Sequence, residues 1–152
     1  QKYTLFIGAS LYSTVTILLT LLVASGIGSR FSEKFSPLMA FGGIIIWLLL
    51  EILLFPALSG MLTNLGLVLR MSLATILISP LGFFMGMPFP KGALRVGELI
   101  DWGFAVNGAA SVLGSAVIVL IAFSWGFNIA LMIGLILYSL AFLLITLEKA
   151  WA

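Results

Sequence analysis

The chain has 152 residues, of which 62% are hydrophobic and only 8% are charged, and its formal net charge is +2. A soluble globular domain carries about 25% charged residues, so this sequence has too few polar groups to cover a water-facing surface. It contains no Cys and no His, which excludes disulfides, thiolate metal sites and a histidine general base.

Apolar segments long enough to cross a hydrocarbon core of about 30 Å follow one another along the sequence. We predict an all-α integral membrane bundle, one domain over 1–152, with five spans at about 3–27, 37–58, 65–84, 102–125 and 127–147. A signal peptide is the alternative for the first segment, although its apolar run exceeds a typical core of 7–15 residues. The chain opens at Gln1 rather than Met, so a processed product and a piece of a longer polypeptide both stay open.

Helix-breaking residues mark the ends of these spans. Pro37 suits the first turn of a helix, because its missing N–H would have no partner there. Pro88 and Pro90 cannot continue the third span, and the more polar stretch 91–101 is expected to lie at a membrane surface. Gly126 and Asn128 supply the turn between the last two spans.

The basic residues predict an orientation. Because loops rich in Lys and Arg stay in the cytoplasm, the N-terminus is expected outside and the C-terminus inside a bacterial cytoplasmic membrane. With five spans, Lys2 falls on the outer face with Arg70 inside a helix near it, and the other basic residues share the inner face: Arg30, Lys34, Lys91, Arg95 and Lys149.

Glu51 and Arg70 are the ionisable residues that fall clearly inside predicted spans. Both are expected roughly 8–10 Å below the same face, on antiparallel neighbours joined by a short turn. Since an isolated charge in a membrane is costly, we expect the two to pair. They form either a binding site for a proton, ion or substrate, or a structural ion pair; an Arg70 that extends to the interface is the other structural alternative.

Small residues at four-residue spacing predict close helix contacts. They lie in the third, fourth and fifth spans at Gly82, Gly86, Gly108, Ala110, Ser111, Gly114, Ala130 and Gly134. Asn107 precedes the fourth-span group and is a candidate for binding a polar group of a ligand, with interhelical hydrogen bonding as the structural alternative. The break at 87–90 either lines a cavity or ends a helix.

Three stretches resemble a known family. "LVASGIGSRFSEKF" at Leu22–Phe35, "PLGFFMGMPFPKGALR" at 80–95 and "DWGFAVNGAASVLGSAVIVLIAFSWGF" at 101–127 are similar to the membrane region of bacterial membrane-fused spermidine-synthase-like proteins. In that family a soluble aminopropyltransferase-like domain binds a nucleotide-type sulfonium cosubstrate and a polyamine. Nothing in this sequence matches that domain, so the resemblance implies a membrane region without its enzyme half and supplies no catalytic residue.

Three functions stay open at this point. The first is a non-enzymatic membrane subunit or anchor domain that packs against other helices in a homo- or hetero-oligomer. The second is a transporter or half-transporter for a small, cationic solute, with Glu51, Asn107 and the break at 87–90 as its pathway. The third is the membrane part of an aminopropyltransferase-like enzyme. No cofactor is predicted and lipid contacts are expected; a pigment or haem stays open, although without His the axial ligand would be unusual. Nucleic-acid binding has no basic stripe to support it.

Overall fold

The computed structural model describes residues 2–8, 11–62 and 64–151, the last four of these by their backbone alone. This part of the chain is helical, with 93% helix and no strand, which confirms the all-α prediction. Seven α-helices follow in order: α1 Lys2–Ile7, α2 Leu11–Phe31, α3 Pro37–Met61, α4 Leu67–Met85, α5 Pro88–Val96, α6 Ile100–Trp125 and α7 Phe127–Trp151.

Local chemistry explains where several helices begin and end. The Ser36 side chain accepts a hydrogen bond from the backbone N–H of Met39, and Pro37 occupies the first turn of α3, where neither residue costs a helical hydrogen bond. At the same end of the bundle α4 stops at Met85 and Pro88 opens the short α5. The prolines therefore end one helix and start another.

Four segments are long and apolar enough to cross a membrane: Leu11–Lys34, Pro37–Met61, Leu67–Trp125 and Phe127–Leu147. The predicted count of five is not obtained on this criterion. The difference lies in the third segment, whose 59 residues contain α4, α5 and α6 in succession.

The predicted first span, 3–27, is not one continuous helix. The helix α1 ends at Ile7, Gly8 adopts a φ of +119°, and α2 begins at Leu11. Glycine has no Cβ and takes this backbone conformation without strain. As a result α1 folds back against the bundle, where Phe6 and Ile7 join a buried apolar cluster with Phe55 and Ile78.

The helices α2 and α4 form the closest contact of the bundle. An ideal Cβ at Gly28 would overlap the Phe83 carbonyl, and one at Gly86 would overlap the Ser25 carbonyl. Each helix thus uses a glycine to admit the backbone of the other. On the other side of α4, the Phe84 ring lies where a Cβ of Gly43 in α3 would stand. The helices α2, α3 and α4 therefore approach one another closely because glycines lie at their contacts.

The helices α6 and α7 lie outside this centre. α7 packs along α3, α6 contacts chiefly α7 and the short α5, and α6 has no buried residue. Large apolar side chains of α6, including Val112, Leu113, Leu120 and Phe123, are more than half exposed. This distribution suits an apolar surrounding rather than water.

Candidate functional site

Among the described residues Glu51 is a buried acidic group, and α1 contacts it. Only 7% of this residue, on the inner side of α3, is exposed. The hydroxyl of Tyr3 donates a hydrogen bond to Glu51 Oε1, and Lys2 Nζ donates to the Glu51 backbone carbonyl over 3.4 Å. The same ammonium lies 4.4 Å from the centre of the Phe55 ring. The fold-back of α1 therefore places a hydroxyl and a cation at the carboxylate.

The electrostatics of Lys2 follow from this position. Burial lowers the pKa of the Lys2 ammonium, and the neighbouring Glu51 carboxylate opposes that shift. The carboxylate favours the charged form of Lys2, whereas removal of water disfavours it.

A partly open cavity of about 390 Å³ adjoins this carboxylate, and we call it the internal cavity because it lies between the helices. Its walls come from α1, α2, α3, α4, α6 and α7, and Lys2, Tyr3 and Glu51 are its hydrogen-bonding side chains. The remaining wall is apolar and includes Ile78 and Ala130. A single carboxyl group in an apolar chamber can hold a proton or a small cation, because a charge there is stabilised only by a close partner.

Arg70 does not pair with Glu51, contrary to the expected ion pair. Arg70 Nη1 instead donates to the Phe6 carbonyl over 3.2 Å, and its Nε is buried without a hydrogen-bond partner in the described part of the chain. Both charges thus contact α1, which the sequence places in the first span and the structure inserts beside α3 and α4. Arg70 lines a separate, open cavity of about 630 Å³ at the end of the bundle.

Asn107 lies elsewhere. It lines an open groove of about 520 Å³ between α5 and α6, together with Pro88, Phe89 and Tyr138. Glu51 does not line this groove. The three features proposed for one pathway are therefore divided: Asn107 and the proline break share the groove, whereas the carboxylate faces the internal cavity.

The small residues of α4 and those of α6 have different surroundings. An ideal Cβ at Gly82 would stand 3.0 Å from the Ala24 Cβ, and Gly86 meets the backbone of α2. An ideal Cβ at Gly108, Gly114 or Gly134 would have no atom of the described neighbouring structure within 4 Å.

The other small residues of α6 and α7 line cavities or form a hydrogen bond within their own helix. Ala110 lines the groove beside Asn107, and Ala130 lines the internal cavity. The Ser111 hydroxyl donates to the Asn107 backbone carbonyl over 2.7 Å, so it is satisfied within α6.

Sequence reasoning missed the roles of Tyr3 and Lys91. Tyr3 stands in an apolar run, and no periodic signal separates it from a lipid-facing tyrosine. Lys91 is predicted at the cytoplasmic interface, and in the structure its Nζ also donates to two backbone carbonyls, those of Ser32 (2.6 Å) and Phe35. The short turn between α2 and α3 is thereby fastened to α5.

Among the residues searched in the described ranges, no group of three or more acidic side chains could hold a metal ion. Comparisons with known proteins gave no matching family model, no matching curated protein and no matching solved structure.

Proposed function

We propose that this chain is a non-enzymatic membrane subunit or anchor domain that packs against other membrane helices through α6. The observation that carries the proposal is the contrast between α6 and the centre of the bundle. α6 has no buried residue, and its glycines at 108 and 114 are open to at least 4 Å within the described structure. Small residues on a membrane helix allow close approach of another backbone, and in α6 that approach is still available.

We infer five crossings from the same arrangement. α4 has 19 residues and α6 has 26, which corresponds to about 28 Å and 39 Å of helix. Each suffices for a crossing of its own, with α5 as the connection at the surface. The N-terminus is then outside and the C-terminus in the cytoplasm of a bacterial cell. Lys91, bonded to the turn that follows Arg30, is consistent with a shared basic face.

The resemblance to membrane-fused spermidine-synthase-like proteins supplies one class of partner. On this proposal, a soluble aminopropyltransferase-like domain belongs at the cytoplasmic face, either on a longer polypeptide or as a separate subunit. A second copy of the chain is the alternative partner, and the mass of the native assembly distinguishes the two.

The test is purification from native membranes in a mild detergent, followed by measurement of the intact mass. The protomer of 16.3 kDa is expected within a larger stoichiometric assembly. Ser111→Leu, which fills the open side of α6, is expected to release the protomer, whereas Ala109→Leu, about 160° around the same helix from Ser111, is expected to leave the assembly intact. A wild-type chain that runs as an isolated monomer would overturn the proposal.

A transporter or half-transporter for a small cationic solute is the second candidate, and the internal cavity favours it. Glu51 is 7% exposed and forms part of the wall of a cavity of about 390 Å³, which gives a cation a partner within the bundle. Uptake of a cationic solute into proteoliposomes should then be lost in Glu51→Gln. Uptake that is unchanged in this variant rejects the role of Glu51.

A further inference from the structure

The open cavity at the α1 end of the bundle has an unusual balance of charge. Lys2 and Arg70 both line it, and none of the lining residues is acidic. Its volume is about 630 Å³, which is sufficient for a polar headgroup. Glu51 attracts Lys2 from the neighbouring internal cavity, but it does not line this one. Among the described side chains, one cation of the two is therefore left without a counterion.

Arg70 is that cation. Its Nη1 has a neutral carbonyl as partner, that of Phe6, and its Nε has no partner in the described structure. A guanidinium carries five N–H donors in a fixed planar fork that matches the oxygens of phosphate or carboxylate. At the edge of a membrane, a guanidinium with unfilled hydrogen-bond donors has a free-energy cost. An oxyanion from outside the chain would lower this cost by accepting those hydrogen bonds.

The start of α7 adds to the same potential. Gly126, Phe127 and Asn128 line the cavity, and α7 begins at Phe127. The first N–H groups of a helix have no partner within it and carry partial positive charge. Together with the two side-chain cations, this long helix makes the cavity attractive to an anion.

We propose that this cavity binds a phosphate-type oxyanion, held between Arg70 and Lys2 at the start of α7. The apolar walls, which include Leu5, Phe55 and Trp125, suit the glycerol and upper acyl portion of a phospholipid better than a free ion. Trp125 also has the amphipathic ring that is enriched at the level of lipid headgroups. The expected ligand is therefore a phospholipid headgroup at the α1 end of the bundle.

The experiment is a lipid titration of the full chain in nonionic detergent, followed by native mass spectrometry. Phosphatidylglycerol is expected to bind, and diacylglycerol with the same acyl chains is expected not to bind. Arg70→Gln should weaken phosphatidylglycerol binding about tenfold or more, since a charge-assisted contact is lost. Arg30→Gln is the control. Arg30 lies in the last turn of α2 and does not line this cavity, so binding should be unchanged.

Further arms keep the test decisive. Arg70→Lys retains the charge and should retain most of the affinity, and circular dichroism confirms that each variant is folded. If Arg70→Gln does not fold, Lys2→Gln replaces it and should weaken binding as well. Inorganic phosphate that binds alone at millimolar concentration would identify a free anion as the source, whereas lipid binding without phosphate competition identifies the headgroup. Equal binding of diacylglycerol, or full affinity in the folded glutamine variants, would overturn the proposal.

Discussion

The α2–α4 contact and the helix α6 contain the same kind of small residues, but only in the first does another helix of this chain pack against them. In α2 and α4, Gly28 and Gly86 each stand where a Cβ would meet the backbone of the partner helix. In α6, an ideal Cβ at Gly108 or Gly114 would have no described atom of another element within 4 Å. The comparison teaches that small-residue spacing marks a helix face that another backbone can approach, but it does not say which backbone.

The difference between the two regions is tested most strongly by placing the same large side chain in both. Gly86→Leu should destabilise the folded chain by about 3 kcal/mol, because the new side chain overlaps the rigid backbone at Ser25. Gly114→Leu should leave the isolated chain as stable as the wild type or slightly more stable, since leucine favours a helix more than glycine does. Unfolding in mixed detergent micelles measures both, and equal losses would contradict the assignment of the two regions.

The second prediction concerns the end of the bundle where α5 connects the two regions. Lys91→Met should cost about 2 kcal/mol, because two carbonyls that accept from a charged ammonium lose their donor. The matched control is Lys34→Met, whose ammonium lies 5.0 Å from the Phe31 ring centre and is expected to matter much less. Proteolysis of the turn 32–36 is the direct measurement, and similar cleavage rates in both variants would count against a fastening role for Lys91.

The third and smallest effect is expected where α1 docks on the packed region. Tyr3→Phe removes the hydroxyl that donates to Glu51 and should lower the free energy of unfolding by about 1.5 kcal/mol. Tyr12→Phe is the control, since Tyr12 is 72% exposed and should tolerate the same change. If thermal unfolding followed by circular dichroism gives the two variants the same midpoint, the Tyr3–Glu51 contact does not hold α1.

Local chemistry made part of this fold predictable. Ser36 and Pro37 open α3, and Pro88 starts a new helix after α4, because capping and the missing proline N–H act within a few residues. The helical class followed from apolar composition and segment length. These features depend on neighbours in sequence, so they can be derived without knowledge of the tertiary structure.

The candidate site was less predictable, for a physical reason. Depth alone predicts that Glu51 and Arg70 are partners. In the structure each instead has a hydrogen-bond partner in α1, Tyr3 for Glu51 and the Phe6 carbonyl for Arg70. Gly8, which follows the end of α1, has a positive φ inside an apolar run, and hydropathy does not distinguish it from a helical glycine. Similarly, the spacing of Gly82, Gly86, Gly108 and Gly114 could not tell a contact within the chain from one with another chain.

The most direct test of the central claim uses the absence of native cysteine, which makes any introduced thiol unique. A photoactivatable benzophenone is attached to Ser111→Cys on α6 and, as the control, to Ser72→Cys on the exposed side of α4, both in native membranes. The account predicts a discrete protein–protein adduct from position 111 and only lipid adducts from position 72. Lipid adducts alone at position 111, or the same protein adduct from both positions, would contradict the claim that α6 is the face that packs against other membrane helices.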